Sequence, residues 1–223
     1  MILSHKHRFI FLKTQKTAGG SLEIALSAIC GPDDIITPLT VGEEATRSGR
    51  GAQNYMVGEA ARKLRTDGIY HAKRGQDYFN HMGAEGLAAK QPEAWASYLK
   101  VGFIRNPWDA QVSKFFWRLR GEGDTSPAAF RQELLSKPAI AYRKLFIDDQ
   151  LAVDFVGKYE TLDADYRTLM SRLGVADPAP LPHMKGGVRP PASRDYRTYY
   201  DDESRDFVAH QCTAIIKVGG YEF

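Results

Sequence analysis

A short apolar run, a turn rich in small or polar residues and the start of a helix occur twice in this chain, and that repetition limits the fold more than any other feature. The first unit reads Arg8-Phe9-Ile10-Phe11-Leu12-Lys13, then Thr14-Gln15-Lys16-Thr17-Ala18-Gly19-Gly20-Ser21, then Leu22, Ile24, Ala25, Leu26 and Ile29 along one broad helical face. Cys30-Gly31-Pro32 closes that helix, with glycine past its end and proline beyond. The second unit runs from a strand at Tyr98–Arg105 through Asn106-Pro107 to a helix at Asp109–Arg120. Asn106 as N-cap, Pro107 at the first helical position and Asp109 in the first turn form a consistent helix start. Continuous apolar strands followed by helices predict an α/β fold with a central, doubly wound parallel sheet, whose ligands bind at the C-terminal ends of the strands.

The intervening segments extend this reading. Residues 32–58 show no clear period and read as loop with one short helix. A basic helix is predicted at Val57–Arg65, a strand at Gly68–Ala72, and helices at Gly83–Lys90 and Glu93–Tyr98. A helix at Ala128–Leu135 and a third strand at Ala152–Lys158 follow. Leu162, Tyr166, Leu169, Met170 and Leu173 then keep helical spacing. The proline-rich stretch Asp177–Pro191 reads as a loop, and a final helix is expected over Asp201–Lys217, with an acidic first turn that complements its dipole. At 223 residues this is one domain, 1–223, with a sizeable core.

Composition narrows the function classes. The apolar run Phe9–Leu12 is too short for a signal-peptide core or a membrane span, so a soluble, cytoplasmic protein is expected. Two cysteines, Cys30 and Cys212, are too few for a disulfide framework and lack metal-ligand spacing. A formal net charge of +3 fits a site for a small anion better than a nucleic-acid surface, which needs a clustered basic face.

The first turn has the physical requirements of an anion loop. Small residues at Ala18, Gly19 and Gly20 let backbone approach a ligand, the helix start presents N–H groups, and Thr17, Ser21 and Lys16 add hydroxyls and a mobile charge. It is not a nucleotide-triphosphate loop, which requires lysine directly after the last glycine, where Ser21 stands here. In the second unit Arg105 ends a strand, where its guanidinium can hold a phosphate through two parallel bonds, and Ser113 follows two helical turns after Asn106.

Taken together, Gln15-Lys16-Thr17-Ala18-Gly19-Gly20-Ser21 and Phe103–Ser113 make the chain resemble the sulfotransferases that use 3′-phosphoadenosine 5′-phosphosulfate (PAPS), particularly their carbohydrate-type branch with bacterial members. Family members carry a PKTGGTS-like loop for the 5′-phosphosulfate and an F-x-x-R-[ND]-P-[WY]-[DE]-R-x-x-S stretch for the 3′-phosphate. Residues 153–162, 196–208 and 220–223 also look like family segments, while roughly 32–70 have no counterpart. Two positions depart from the pattern: Gln15 stands for the usual proline, and Ala110-Gln111 for the arginine that often follows.

The resemblance implies a P-loop-like three-layer sandwich and in-line transfer of a sulfuryl group from PAPS to an acceptor hydroxyl, with 3′,5′-adenosine bisphosphate as product and no metal. Lys16 would stabilise the leaving oxygen. Thr17, Ala18, Gly19, Gly20, Ser21 and Leu22 would hold the 5′-phosphate, and Arg105 and Ser113 the 3′-phosphate. Lys185, Gly186 and Gly187 are similar to a glycine-rich loop that closes over the donor; a solvent loop explains them as well. The acceptor hydroxyl needs a base of near-neutral pKa. Of six histidines, His81 stands where relatives carry a KH-x-x-A segment and is the first choice, with His71 the second. His5, His7, His183 and His210 read as structural or solvated, and Trp108 as packing. The acceptor is expected to be a saccharide or related small metabolite, its identity set by residues 32–70, with Arg47, Arg50, Arg62, Lys63 and Arg65, and by loops after Gly121. A kinase using ATP and magnesium, or an inactive bisphosphonucleotide-binding protein, are the competing readings.

Overall fold

Phe9, Ile10, Phe11 and Leu12 are all buried, a pattern that only a strand covered on both faces accommodates. They form β2 (Phe9–Leu12) at the centre of a five-stranded sheet in the computed structural model, which describes residues 1–47, 49–56, 77–182 and 189–223. The other strands are β1 (Ile2–Ser4), β3 (Ile35–Ile36), β4 (Leu99–Ile104) and β7 (Phe155–Lys158), in the order β3-β1-β2-β4-β7. The strands expected around 8–13, 98–105 and 152–158 are present, the last shortened at its start. The helix at 57–65 and the strand at 68–72 lie outside the described residues.

The sheet is mixed, which corrects the expectation of a parallel one. β2, β4 and β7 are parallel, with Phe9 opposite Leu99 and Val101 opposite Phe155. β1 runs antiparallel to both β2 and β3. The reason is chain length: only residues 5–8 separate β1 from β2, too few for the crossover that a parallel pair requires. Asp34 fixes that turn by accepting from the backbone N–H of His5 at 2.7 Å and from Ser4 Oγ at 2.6 Å. His5 and His7 therefore sit inside a tight turn and follow a strand.

Alternate side chains of β2 enter two separate apolar clusters. Phe9 and Phe11 join Leu22 and Leu26 of α1 (Gly19–Ser27) and Leu169 and Met170 of the helix Leu162–Arg172. Ile10 and Leu12 join Leu87 of α3 (Ala84–Lys90), Val112 and Phe115 of α5 (Pro107–Leu119), and Phe130 of α6 (Pro127–Leu135). A short helix α2 (Val41–Glu44) follows β3, and α4 (Pro92–Ser97) leads into β4. Gly157 of β7 lets the strands close, because any Cβ there would overlap the ring of Phe103, which packs against Phe155 at 6.1 Å between centroids.

The sequence did not expose every element. A hairpin of β5 (Phe146–Ile147) and β6 (Gln150–Leu151) turns through Asp148 and Asp149, both left-handed, the backbone that two-residue hairpin loops require. The helix Leu162–Arg172 is α7. The single helix expected over 201–217 is two, α8 (Asp202–Gln211) and α9 (Thr213–Gly219), broken at Cys212. Cys30 and Cys212 are both buried free thiols, and His210 lies in α8.

Candidate functional site

The turn after β2 is wound by left-handed backbone at Lys16 (φ 62°) and Ala18 (φ 56°), and Ala18 caps α1 without a side-chain bond. Neither residue is glycine, and each bears the steric cost of that region, of order 1–2 kcal/mol per residue. Gly19, Gly20 and Ser21 are the first three residues of α1, so their amides have no earlier helical carbonyl to bond. Leu22 differs from expectation. Its N–H already donates to Ala18 O at 3.1 Å, and its side chain is fully buried, so it is a core residue. Thr17 is buried as well, its hydroxyl 2.8 Å from that of Thr14, which donates to Phe103 O at 2.5 Å. These two threonines tie the loop to β4.

Gly20 is required by a close approach: an added Cβ would overlap Oε1 of Glu43. Glu43 is buried, and its other oxygen accepts from Thr40 Oγ1 at 2.7 Å in the capping box of α2. The carboxylate is thus pinned against the first turn of α1. Lys13, one turn before Lys16, is not available to a ligand. It is buried and pairs with Glu23 at 3.0 Å, and Glu23 also accepts from the Met1 ammonium at 2.7 Å. Burial alone would raise the Glu23 carboxyl, but these two cations overcome it and hold it low, at about 2.

Arg105 joins the two loops. It follows β4 directly and is buried, and its Nη1 donates to Lys16 O at 3.1 Å and to Ser113 Oγ at 3.2 Å. Its Nε and Nη2 both reach Asp109 Oδ2 at 2.6 Å, and its plane lies 3.9 Å from the Tyr159 ring centroid. Arg189 pairs with the second Asp109 oxygen. Ser113 and Trp117 share a face of α5 at i and i+4, and the Lys16 ammonium lies 4.8 Å from the Trp117 ring centroid, within cation–π range. Lys16, Arg105 and Ser113 therefore converge, although 89 residues separate the first two.

His81 lies on the other side of the loop, half-buried, with left-handed backbone of its own (φ 62°). Its Nδ1 is 2.9 Å from Lys13 O. A carbonyl only accepts, so Nδ1 carries the hydrogen and Nε2 keeps a lone pair. Burial, then the Lys13 charge, push the imidazole down to about 4, so it is neutral at pH 7 but a weaker base than the near-neutral one expected. Lys144 Nζ donates to the His81 carbonyl and fixes the turn that carries the ring.

Three partners were not legible beforehand. Asp109 read as a helix-start residue, Tyr159 only as one position of the family-like segment 153–162, and Arg189 had no assigned role. Arg105 and Asp109 at i and i+4 were the one available signal, since that spacing on a helix start permits an ion pair. Ala110 is fully buried, and Gln111 accepts from Ile140 N at 3.1 Å, so these two positions pack the core and anchor residues 138–142. Trp108 also packs, its ring 5.5 Å from that of Phe223. Lys185, Gly186, Gly187, His71 and His183 lie outside the described residues, as do Arg62, Lys63 and Arg65. Arg47 is buried beside Glu44 at 3.0 Å, and Arg50 donates to Cys30 O at 2.8 Å, so both have local structural roles.

No family model, no curated protein and no solved structure matches this chain. No helix among the described residues is long and apolar enough to cross a membrane, and no group of three or more His, Cys, Asp or Glu among them is placed to hold a metal ion.

Proposed function

We propose that the protein is a PAPS-dependent sulfotransferase with a P-loop-like arrangement of helices on both faces of the sheet. It would transfer a sulfuryl group to an acceptor hydroxyl on a saccharide or related metabolite. The observation that carries this reading is the Arg105 bridge, which brings an anion loop at a helix start together with a second phosphate-type motif. The residues present suit a donor with two separate phosphate ends. Asp109 occupies the space between the guanidinium groups of Arg105 and Arg189, whose forks suit a phosphate as they do a carboxylate, so a phosphate entering there competes with Asp109.

In this reading Arg105, Ser113 and Arg189 hold the 3′-phosphate, and the amides of Gly19, Gly20 and Ser21 hold the 5′-phosphate at the N-terminus of α1. PAPS supplies the activated sulfuryl group. His81 Nε2 takes the acceptor hydroxyl proton as the new S–O bond forms. Lys16 neutralises the charge left on the 5′-phosphate oxygen as the old S–O bond breaks. Lys16 reaches that oxygen by leaving the Trp117 face, and catalysis is otherwise positioning plus electrostatics, as in phosphoryl transfer.

Thermal shift decides between donors, since a ligand bound only by the native state raises stability. Stabilisation by 3′,5′-adenosine bisphosphate is expected. Stabilisation by ATP–Mg²⁺ alone would instead favour a kinase.

A further inference from the structure

A cleft of about 290 Å³, close to the lower end of the range of about 300–1,000 Å³ usual for ligand pockets, opens along the segment whose Lys144 bonds the His81 carbonyl. Thr14 and Gln15 form one wall, Lys114 of α5 another, and the segment 138–144 the rest. Its lining contains three cations, Lys114, Arg143 and Lys144, and no carboxylate. Arg143 pairs with Asp149, but both side chains are largely exposed, so solvent screens the pair and the cation stays accessible to a ligand. Lys144 is tied to the His81 carbonyl, which places its charge next to the ring. Half-buried Lys114 has no hydrogen-bond or ion-pair partner among the described residues. A concave surface lined by one sign of charge concentrates ligands of the opposite sign. The stretch 138–141, Pro-Ala-Ile-Ala, adds apolar surface to the lining.

We propose that this cleft is the acceptor subsite and that it selects a saccharide bearing carboxylate groups, with Lys114 and Arg143 meeting the carboxylates and the target hydroxyl presented to His81. The inference rests on the sulfotransferase reading and names its substrate class. Of residues 32–70, the described arginines, Arg47 and Arg50, are engaged locally.

Calorimetric titration of the full chain with an oligogalacturonate hexamer and with maltohexaose, each in the presence of saturating 3′,5′-adenosine bisphosphate, tests it. The acidic hexamer is expected to bind at least tenfold more tightly. Lys114→Gln should cut that advantage at least threefold, with bisphosphate affinity unchanged. Should Lys114→Gln fold poorly, exposed Arg143→Gln gives the same comparison without a buried change. Equal binding of the two hexamers, or binding of neither, overturns the proposal. So does displacement of the acidic hexamer by the bisphosphate, which would make the cleft part of the donor site. Failure of the bisphosphate to bind at all is read in its own titration and sinks the donor assignment, and the acceptor role with it.

Discussion

A single oxygen of Asp109, Oδ2, lies 2.6 Å from both Nε and Nη2 of Arg105. The neighbouring oxygen takes Arg189, so two guanidinium groups share one carboxylate at the meeting point of the two loops and keep a net positive charge. That arrangement stabilises the folded protein and competes with any anion entering between the arginines.

Asp109→Asn should therefore have opposite effects on stability and binding. Removing one partner of a fully buried pair costs about 3–5 kcal/mol, and this partly exposed one, with an amide still able to accept, should cost about 1–3 kcal/mol. Affinity for 3′,5′-adenosine bisphosphate should rise, because the competing charge is gone. Arg105→Lys should lower it by about tenfold or more, since an ammonium cannot replace the guanidinium fork. Calorimetry and urea unfolding on both variants give the two signs. Tighter binding by Arg105→Lys would remove Arg105 from the anion site.

His81 predicts a specific pH dependence. Its folded pKa of about 4 lies below the unfolded value near 6.5, so between these values the unfolded chain binds the extra proton. Stability contributed through His81 is therefore intact above pH 6.5 and is lost as pH falls toward 4, by up to about 3 kcal/mol. His81→Gln should flatten that part of the urea-midpoint profile between pH 7 and 4.5. If wild type and variant fall in parallel, the ring is not held neutral by the fold. Transfer by the wild type should stay level from pH 8 to 6, and His81→Gln should abolish it while retaining the bisphosphate.

Gly20 and Glu43 should be energetically coupled. Gly20→Ala forces its Cβ into the pinned Glu43 carboxylate, an overpacking worth about 1–3 kcal/mol. With Glu43→Ala in the same chain the added methyl has room, so the double variant should be more stable than the sum of the singles by about 0.5–3 kcal/mol. A double-mutant cycle by thermal unfolding measures this, and strict additivity would mean that the loop shifts away from Glu43 at no cost.

Lys16 should separate chemistry from binding. Lys16→Ala should lower kcat with PAPS by about 10²–10³, the usual effect of removing one charge-stabilising donor, with bisphosphate affinity changed only a few-fold. Trp117→Ala should change kcat far less, because the ring only parks the ammonium. Equal losses from both variants would mean that the stacked position of Lys16 is its working position.

Local pattern alone carried much of the site. The four-residue apolar run of β2, the Asn106-Pro107 helix start and the glycine pair were each readable because strand burial, capping and tight turns are decided over a few residues. The convergence of Lys16 with Ser113 was implied by the family resemblance and by no spacing rule, since the positions lie so far apart; it depends on β2 and β4 being parallel neighbours, which sets both loops at the C-terminal ends of adjacent strands. Asp109 reaches Arg105 locally, at i and i+4, and Arg189 reaches Asp109 from 80 residues away, which turns what read as free phosphate ligands into an ion-pair network. β1 was missed because three residues give no measurable alternation, and its antiparallel direction follows from the short turn that Asp34 ties from 30 residues away. His81 was chosen by its neighbours in sequence. Only the fold decided its tautomer and its neutrality, because these come from the surrounding burial and from the carbonyl and charge of Lys13, 68 residues earlier.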